Sequence, residues 1–172
     1  MSGLIHIYCG DGKGKTTAAV GLAIRAAGSG KRVMFAQFFK DGSSSEIGVL
    51  QTIENIQTAH CNTVRGFWKR MDDTQKAQAS KDYTRFLAEI VMLAKDADLL
   101  VLDEIVSACN HGTVTETVVL DFLHDKPTGL EVVLTGRNPS EALLELADYV
   151  SEMRKVKHPY DCGIAAREGI EF

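Results

Sequence analysis

One nine-residue segment constrains the fold more than any other: Cys9–Thr17, CGDGKGKTT. It sets three glycines and two lysines between an apolar run, LIHIYC (Leu4–Cys9), and a run of small apolar residues, TAAVGLAIRAA (Thr17–Ala27). A glycine-rich turn from a strand into a helix presents successive backbone N–H groups at the helix N-terminus, which together form a nest for an anion. Its end, Gly14-Lys15-Thr16, completes the phosphate-loop pattern GxxxxGKS/T. Cys9 stands where that pattern begins with glycine, and Gly10 and Gly12 supply the flexibility instead. Lys15 offers a point charge for outer phosphates, and the Thr16 hydroxyl can ligate magnesium. Lys13, a second cation in the loop, reads equally as a phosphate contact or as a solvated lysine.

The remainder alternates strand-length apolar runs with helical periodicities. After a helix over about Lys15–Ala27, stopped by Gly28 and Gly30, strands are expected at Arg32–Phe39, Ile56–His60, Asp98–Glu104, Leu130–Thr135 and Tyr149–Met153. The last is expected to be central in the sheet. Helices are expected at Asp73–Lys95, Glu116–His124 and Pro139–Ala147, the first with Tyr83, Phe86, Leu87, Ile90, Leu93 and Ala94 on one face. The polar, Ser-rich Asp41–Gly48 reads as a mobile loop. Continuous apolar strands alternating with helices mean an α/β fold. The expectation is a P-loop NTPase-like parallel sheet of five to six strands with helices on both faces, as a single nucleotide-binding catalytic domain over 1–172.

A parallel sheet delivers every strand's C-terminal end to one edge, where ligands bind. That edge should gather Gly10–Thr17, Phe38–Lys40, Asp103–Glu104, Gly136–Arg137 and Arg154. LLVLDE ends in two acids, and Asp103 or Glu104 would hold magnesium, directly or through water. Arg137 reads as a bidentate phosphate contact or as a surface arginine in a turn. Arg25 is odd in an apolar helix; a buried arginine needs either an acid or the ligand. Phe67 and Trp68, between Arg65-Gly66 and Lys69-Arg70, could stack on a planar apolar ligand or pack locally under a loop. The five histidines show no ligand spacing and read as structural or exposed.

Composition narrows the function classes. Nineteen basic against 23 acidic residues give a net charge of −4, so no basic face for nucleic acid is advertised. No apolar run approaches a membrane span, and the N-terminus lacks the basic region of a signal peptide. Four scattered cysteines without a CxxC pair read as free thiols of a cytoplasmic protein.

GDGKGKTTAAVGLAIRA, QFFK, LLVLDE, LTGRNP and the tail LADYVSEMRKVKHPYDCGIAAREGIEF resemble the P-loop ATP:corrinoid adenosyltransferases, over about Ile5 to Phe172. The resemblance implies transfer of the 5′-deoxyadenosyl group of ATP to the Co(I) centre of a reduced corrinoid, with release of triphosphate. It implies magnesium, an external flavin-based reductant, a homodimer, and a nucleotide reversed relative to P-loop hydrolases so that the loop grips its terminal phosphate. Gly10, Asp11, Gly12, Lys13, Gly14, Lys15, Thr16 and Thr17 match the family's ATP loop, and Arg25 a nucleotide-serving arginine. Glu104, with Asp103 beside it, matches the magnesium-associated acid, and Arg137 the arginine of the TGR motif. Phe67 and Trp68 match two corrin-region aromatics that help displace the lower cobalt ligand, although here they are adjacent rather than spaced Phe-x-Trp. Only Met1–Gly3 precede the first strand, so the lid made by a longer N-terminal extension is expected to be missing. Two other readings predict different products. A small P-loop kinase or NTPase would yield ADP or phosphate, and a non-catalytic nucleotide-dependent corrinoid-binding module would yield no cobalt–carbon bond.

Overall fold

The computed structural model describes residues 2–40, 42–62 and 71–171. Six strands, β1 (Ile5–Cys9), β2 (Val33–Gln37), β3 (Ile56–His60), β4 (Leu99–Asp103), β5 (Glu131–Thr135) and β6 (Tyr149–Glu152), form one sheet in the order β3-β2-β4-β5-β1-β6. Every pairing is parallel. The helices are α1 (Lys15–Gly28), α2 (Ser45–Leu50), α3 (Asp73–Leu93), α4 (Ile105–Asn110), α5 (Glu116–Asp125) and α6 (Glu141–Leu146).

Strand composition follows position in the sheet. β2 and β4 lie inside it, are buried at all five positions, and carry the longest apolar runs. Side chains alternate between two cores, as a pleated strand requires. Val33, Phe35, Leu99, Val101 and Val133 pack with α1 and α2, whereas Met34, Ala36, Leu100, Leu102, Val132 and Leu134 join the core under α3, α4 and α5. Ala19, Ala23, Ala26 and Ala27 form the buried stripe of α1, and these small side chains let the helix lie close on the sheet. α3 starts at Asp72, which accepts from the Gln75 backbone N–H while the Gln75 side chain accepts from the Asp72 N–H, a reciprocal capping box.

Four expectations need correction. Asp41–Gly48 is not all loop: α2 starts at Ser45, because Ile47 and Leu50, three apart, bury against the α1 face, with Glu46 at the positive helix start. α4 follows β4 directly and is an additional helix; its sequence, IVSACN, lacks the strong helix formers that mark the equally short α6, EALLEL. β6 is an edge strand, exposed at all four positions, paired only to β1. Leu93 is 61% exposed, because α3 tightens into a 3-10 turn at Ala94–Asp96 and Ala94 takes the core position instead.

Candidate active site

The carboxyl edge gathers the segments expected there. The loop Gly10–Gly14 leaves β1 and enters α1 at Lys15. It lies against the exit of β6: the Gly12 N–H donates to the Met153 carbonyl at 2.7 Å, and a Cβ on Gly12 would stand 2.6 Å from that oxygen. Only glycine tolerates so close an approach. The Lys155 N–H donates to the Asp11 carboxylate at 3.0 Å, a second tie between loop and tail.

Lys15 is 8% exposed, and its Nζ donates to the Gly12 carbonyl at 2.9 Å. Burial pushes its ammonium pKa below the usual lysine value; the Glu104 charge is the strongest pull back up, and the Arg137 charge adds to the depression. Lys15 thus sits within the field of both the acid after β4 and the arginine after β5.

Asp103, fully buried at the end of β4, is the hub. Its Oδ1 accepts from Thr16 Oγ1 at 2.9 Å and from Thr135 Oγ1 at 2.7 Å. Its Oδ2 accepts from Lys40 Nζ at 3.1 Å and from Gln37 Nε2 at 3.3 Å. Lys40 Nζ also lies 3.5 Å from Glu46 on α2. Burial pushes the Lys40 pKa down, but the Asp103 charge and hydrogen bond, with Glu46 and Glu104, push it further up, so the net shift is upward. A buried carboxylate needs this compensation.

Glu104 takes the left-handed conformation (φ +64°), which turns the chain sharply from β4 into α4. That turn separates the two adjacent acids: Asp103 faces inward, while the Glu104 carboxylate accepts from Ser107 Oγ and its N–H donates to Thr135 Oγ1 at 2.9 Å. Gly136 (φ +147°) allows the chain after β5 to press on α4, since a Cβ there would lie 2.7 Å from Val106 Cβ. Arg137 follows, exposed, with its carbonyl accepting from Asn110 Nδ2 at 2.6 Å.

A cleft of about 520 Å³ opens over this edge, lined by Lys13, Thr16, Thr17, Lys40 and Glu46 among others. Ile170 and Glu171 of the returning tail also line it. The side-chain hydrogen bonds and backbone N–H of Arg167 hold the Glu171 carboxyl down at about 2, with a smaller contribution from Lys13.

The loop residues, Lys15, Thr16, Asp103, Glu104 and Arg137 therefore share one edge. Arg25 does not join them: it is exposed rather than buried, near Tyr8, and ten residues at 1.5 Å rise put it about 15 Å along α1 from Lys15. Phe67 and Trp68 lie outside the described residues. Gln37, Glu46, Thr135, Ser107 and the cleft-lining end of the tail, Gly169–Glu171, were missed by sequence reasoning, and Lys40 was placed on the edge but given no role. Gln37 and Thr135 carried a signal, being polar residues at the C-terminal ends of otherwise apolar strands. Cys9, Cys109 and Cys162 are free thiols, and His6 is engaged by Glu131 at 2.6 Å. Among the described residues, no helix is long and apolar enough to cross a membrane.

A six-stranded parallel sheet with a glycine-rich anion loop after its first strand defines a P-loop nucleotide-binding protein. In agreement, the chain superposes on EccC (ATPases 2 and 3) of Thermomonospora curvata with a TM-score of 0.54 at 16% identity, covering 92% of this chain and 32% of that one. That likeness concerns the fold alone. The particular family follows from sequence: residues 1–172 match the model for ATP:corrinoid adenosyltransferase BtuR/CobO/CobP, and the chain belongs to that family. It is 33% identical to the corrinoid adenosyltransferase of Pseudomonas aeruginosa, over 99% of this chain and 84% of that protein. It is 35% identical to the corrinoid adenosyltransferase CobA of Salmonella typhimurium, over 99% and 86%.

Proposed function

We propose that this adenosyltransferase holds the triphosphate of ATP in the Gly10–Thr17 loop as a leaving group, while the Co(I) centre of a bound corrinoid attacks the ribose 5′ carbon. In that step a cobalt–carbon bond forms from the Co(I) electron pair, the 5′ carbon–oxygen bond breaks, and triphosphate leaves with the electron pair. The nucleophile is the corrinoid itself, so no general base is needed. The protein's task is to stabilise charge developing on the leaving group. The observation that carries the reading is the convergence of the loop, Lys15, Thr16 and Arg137 on one edge.

The donors at this edge are hard oxygens, a hydroxyl and two carboxylates, which fit magnesium rather than a soft metal. Thr16, Asp103 and Glu104 would hold it, and when bound it supplies further positive charge for the phosphates. Glu104→Gln is expected to raise the magnesium concentration needed for half-maximal transfer while leaving corrinoid affinity unchanged, as read by magnesium titration and corrinoid difference spectra. A larger shift in Asp103→Asn than in Glu104→Gln would make Asp103 the principal acid.

Arg25 would serve the nucleotide only at the end remote from the loop. Phe67 and Trp68 are assigned to the corrin by resemblance alone. There they would fill the lower axial face of cobalt, exclude water and so make Co(I) easier to reach. Replacing both by alanine is then expected to impair transfer strongly when Co(II) corrinoid and a flavin donor are supplied, and much less when Co(I) is made chemically beforehand. Equal losses in the two assays would remove that role. A flavin-based reductant, a homodimer and a reducing cytoplasmic setting complete the proposal.

The test is direct. Protein, ATP, magnesium, a corrinoid and a strong reductant should yield the visible spectrum of a light-sensitive alkylcobalt product. ADP without that spectrum would favour a kinase or NTPase.

A further inference from the structure

We propose that Lys40 is an internal counter-ion which the divalent cation must displace from Asp103, making it a positioning residue that couples metal loading to triphosphate binding. The inference rests on the reading that the metal seats beside Thr16 and Asp103.

Two donors, Gln37 at the end of β2 and Lys40 in the loop that follows, meet at the same pair of carboxylate oxygens, one on β4 and one on α2. Lys40 Nζ lies 3.1 Å from Asp103 Oδ2 and 3.5 Å from Glu46 Oε1. Gln37 Nε2 donates to the same two atoms, at 3.3 and 3.4 Å. The other oxygen of Asp103 is occupied by Thr16 and Thr135 hydroxyls. Two carboxylates thus share one ammonium, a local charge of −1 where a divalent cation would bring +2.

Gln37 gives a second, independent sign. It is fully buried, and with its amide nitrogen committed to the carboxylates, its Oε1 has no hydrogen-bond partner among the described residues. A buried acceptor left unmatched is costly. The Lys40 ammonium, drawn to the two carboxylates, does not bond it, whereas a divalent cation that keeps part of its water shell can satisfy it, because a bound water donates outward. The cluster has the donor set of a hydrated cation and holds a lysine at its mouth.

The side chain has somewhere else to go. Lys40 is 27% exposed and lines the same cleft as Lys13, Thr16 and Thr17. Its flexible four-carbon stem lets the ammonium swing toward the phosphates once Asp103 is neutralised by metal. Lysine rather than arginine suits this, since a point charge re-forms contacts in any direction whereas a planar fork does not. Exchange of one cation for another also leaves Asp103 compensated at every stage, which a buried carboxylate requires.

The test is manganese binding, read by loss of the free Mn²⁺ paramagnetic-resonance signal, with and without ATP. Lys40→Gln keeps a donor to Asp103 and so preserves the fold, and thermal melting checks that it does. Lys40→Gln is expected to bind Mn²⁺ alone at least about tenfold tighter than the parent protein, because two positive charges a few ångströms apart repel strongly at a poorly solvated site. Lys40→Arg, which keeps the charge, should bind Mn²⁺ alone as the parent does. With ATP present the Lys40→Gln advantage should shrink or reverse, since the variant lacks the released ammonium at the phosphates. Equal or weaker Mn²⁺ affinity in Lys40→Gln, with Asp103→Asn abolishing binding, would overturn the counter-ion role while leaving the metal reading intact. If neither the parent nor any variant bound Mn²⁺ even with ATP, the metal reading itself would fall, and this inference with it.

Discussion

Replacing Lys15 by alanine is expected to slow adenosyl transfer by about 10²–10³-fold while leaving the melting temperature close to that of the parent, because losing one preorganised donor to developing negative charge costs ~3–4 kcal/mol of barrier. The side chain is nearly buried, yet its one hydrogen bond among the described residues is to the carbonyl of Gly12 within its own loop, so little of the fold depends on it. The role proposed for it lies in the reaction. Charge accumulates on the triphosphate only as the 5′ carbon–oxygen bond breaks, and an ammonium already stripped of most of its water meets that charge without reorganising. The loss should therefore fall on kcat more than on the KM for ATP. Steady-state kinetics with pre-reduced corrinoid separates the two. Near-normal turnover in Lys15→Ala would mean that the triphosphate sits elsewhere.

The second large effect concerns stability. Asp103→Ala is expected to destabilise the protein by about 3 kcal/mol, the lower end for removing one member of a buried ion pair. The lower end applies because Lys40 is partly exposed and keeps Glu46. Thr16, Thr135 and Gln37 would each lose an acceptor in the same substitution. Urea unfolding at neutral pH measures the loss. The pH dependence carries its own sign. Lys40 is raised above its ordinary value of 10.5 in the fold, so the stability it contributes is complete below that pH and disappears as pH climbs through the raised folded value. The parent protein should lose this part of its stability only above about pH 10.5, and Asp103→Ala should lack that alkaline step. A substitution cost below about 1 kcal/mol would mean that Asp103 is a replaceable surface-like acid rather than the hub of four strand and helix ends.

The sheet and its carboxyl edge were legible because most strands were apolar runs of strand length that ended on polar residues. The loop residues, Asp103, Glu104 and Arg137 are all local to a strand end, so reading one strand at a time sufficed to put them together. What escaped was either short or non-local. α2 and α4 have six residues each and are built largely from weak helix formers, SEIGVL and IVSACN, whereas the equally short α6, EALLEL, consists of strong helix formers behind the Ser140 cap. The contact of Lys40 with Asp103 joins residues 63 apart, and Thr16 reaches across 87. Neither partner's neighbourhood in the chain reveals the other. Arg25 was expected to be buried because its neighbours are apolar. Yet α1 buries only one stripe of alanines, and position 25 falls on the outer side. β6 was read as central from its place at the end of the alternation, whereas the topology puts it outside β1. The tail Gly169–Glu171 returns to the cleft through contacts that no periodic pattern encodes.

The central claim is that the loop holds triphosphate as a leaving group rather than a γ-phosphate for transfer. Phosphorus-31 NMR of a single-turnover reaction, with ATP, magnesium and chemically prepared Co(I) corrinoid, tests it most directly. One equivalent of intact triphosphate for each cobalt–carbon bond formed, with no ADP, is the predicted result. ADP and inorganic phosphate as the stoichiometric products would contradict it.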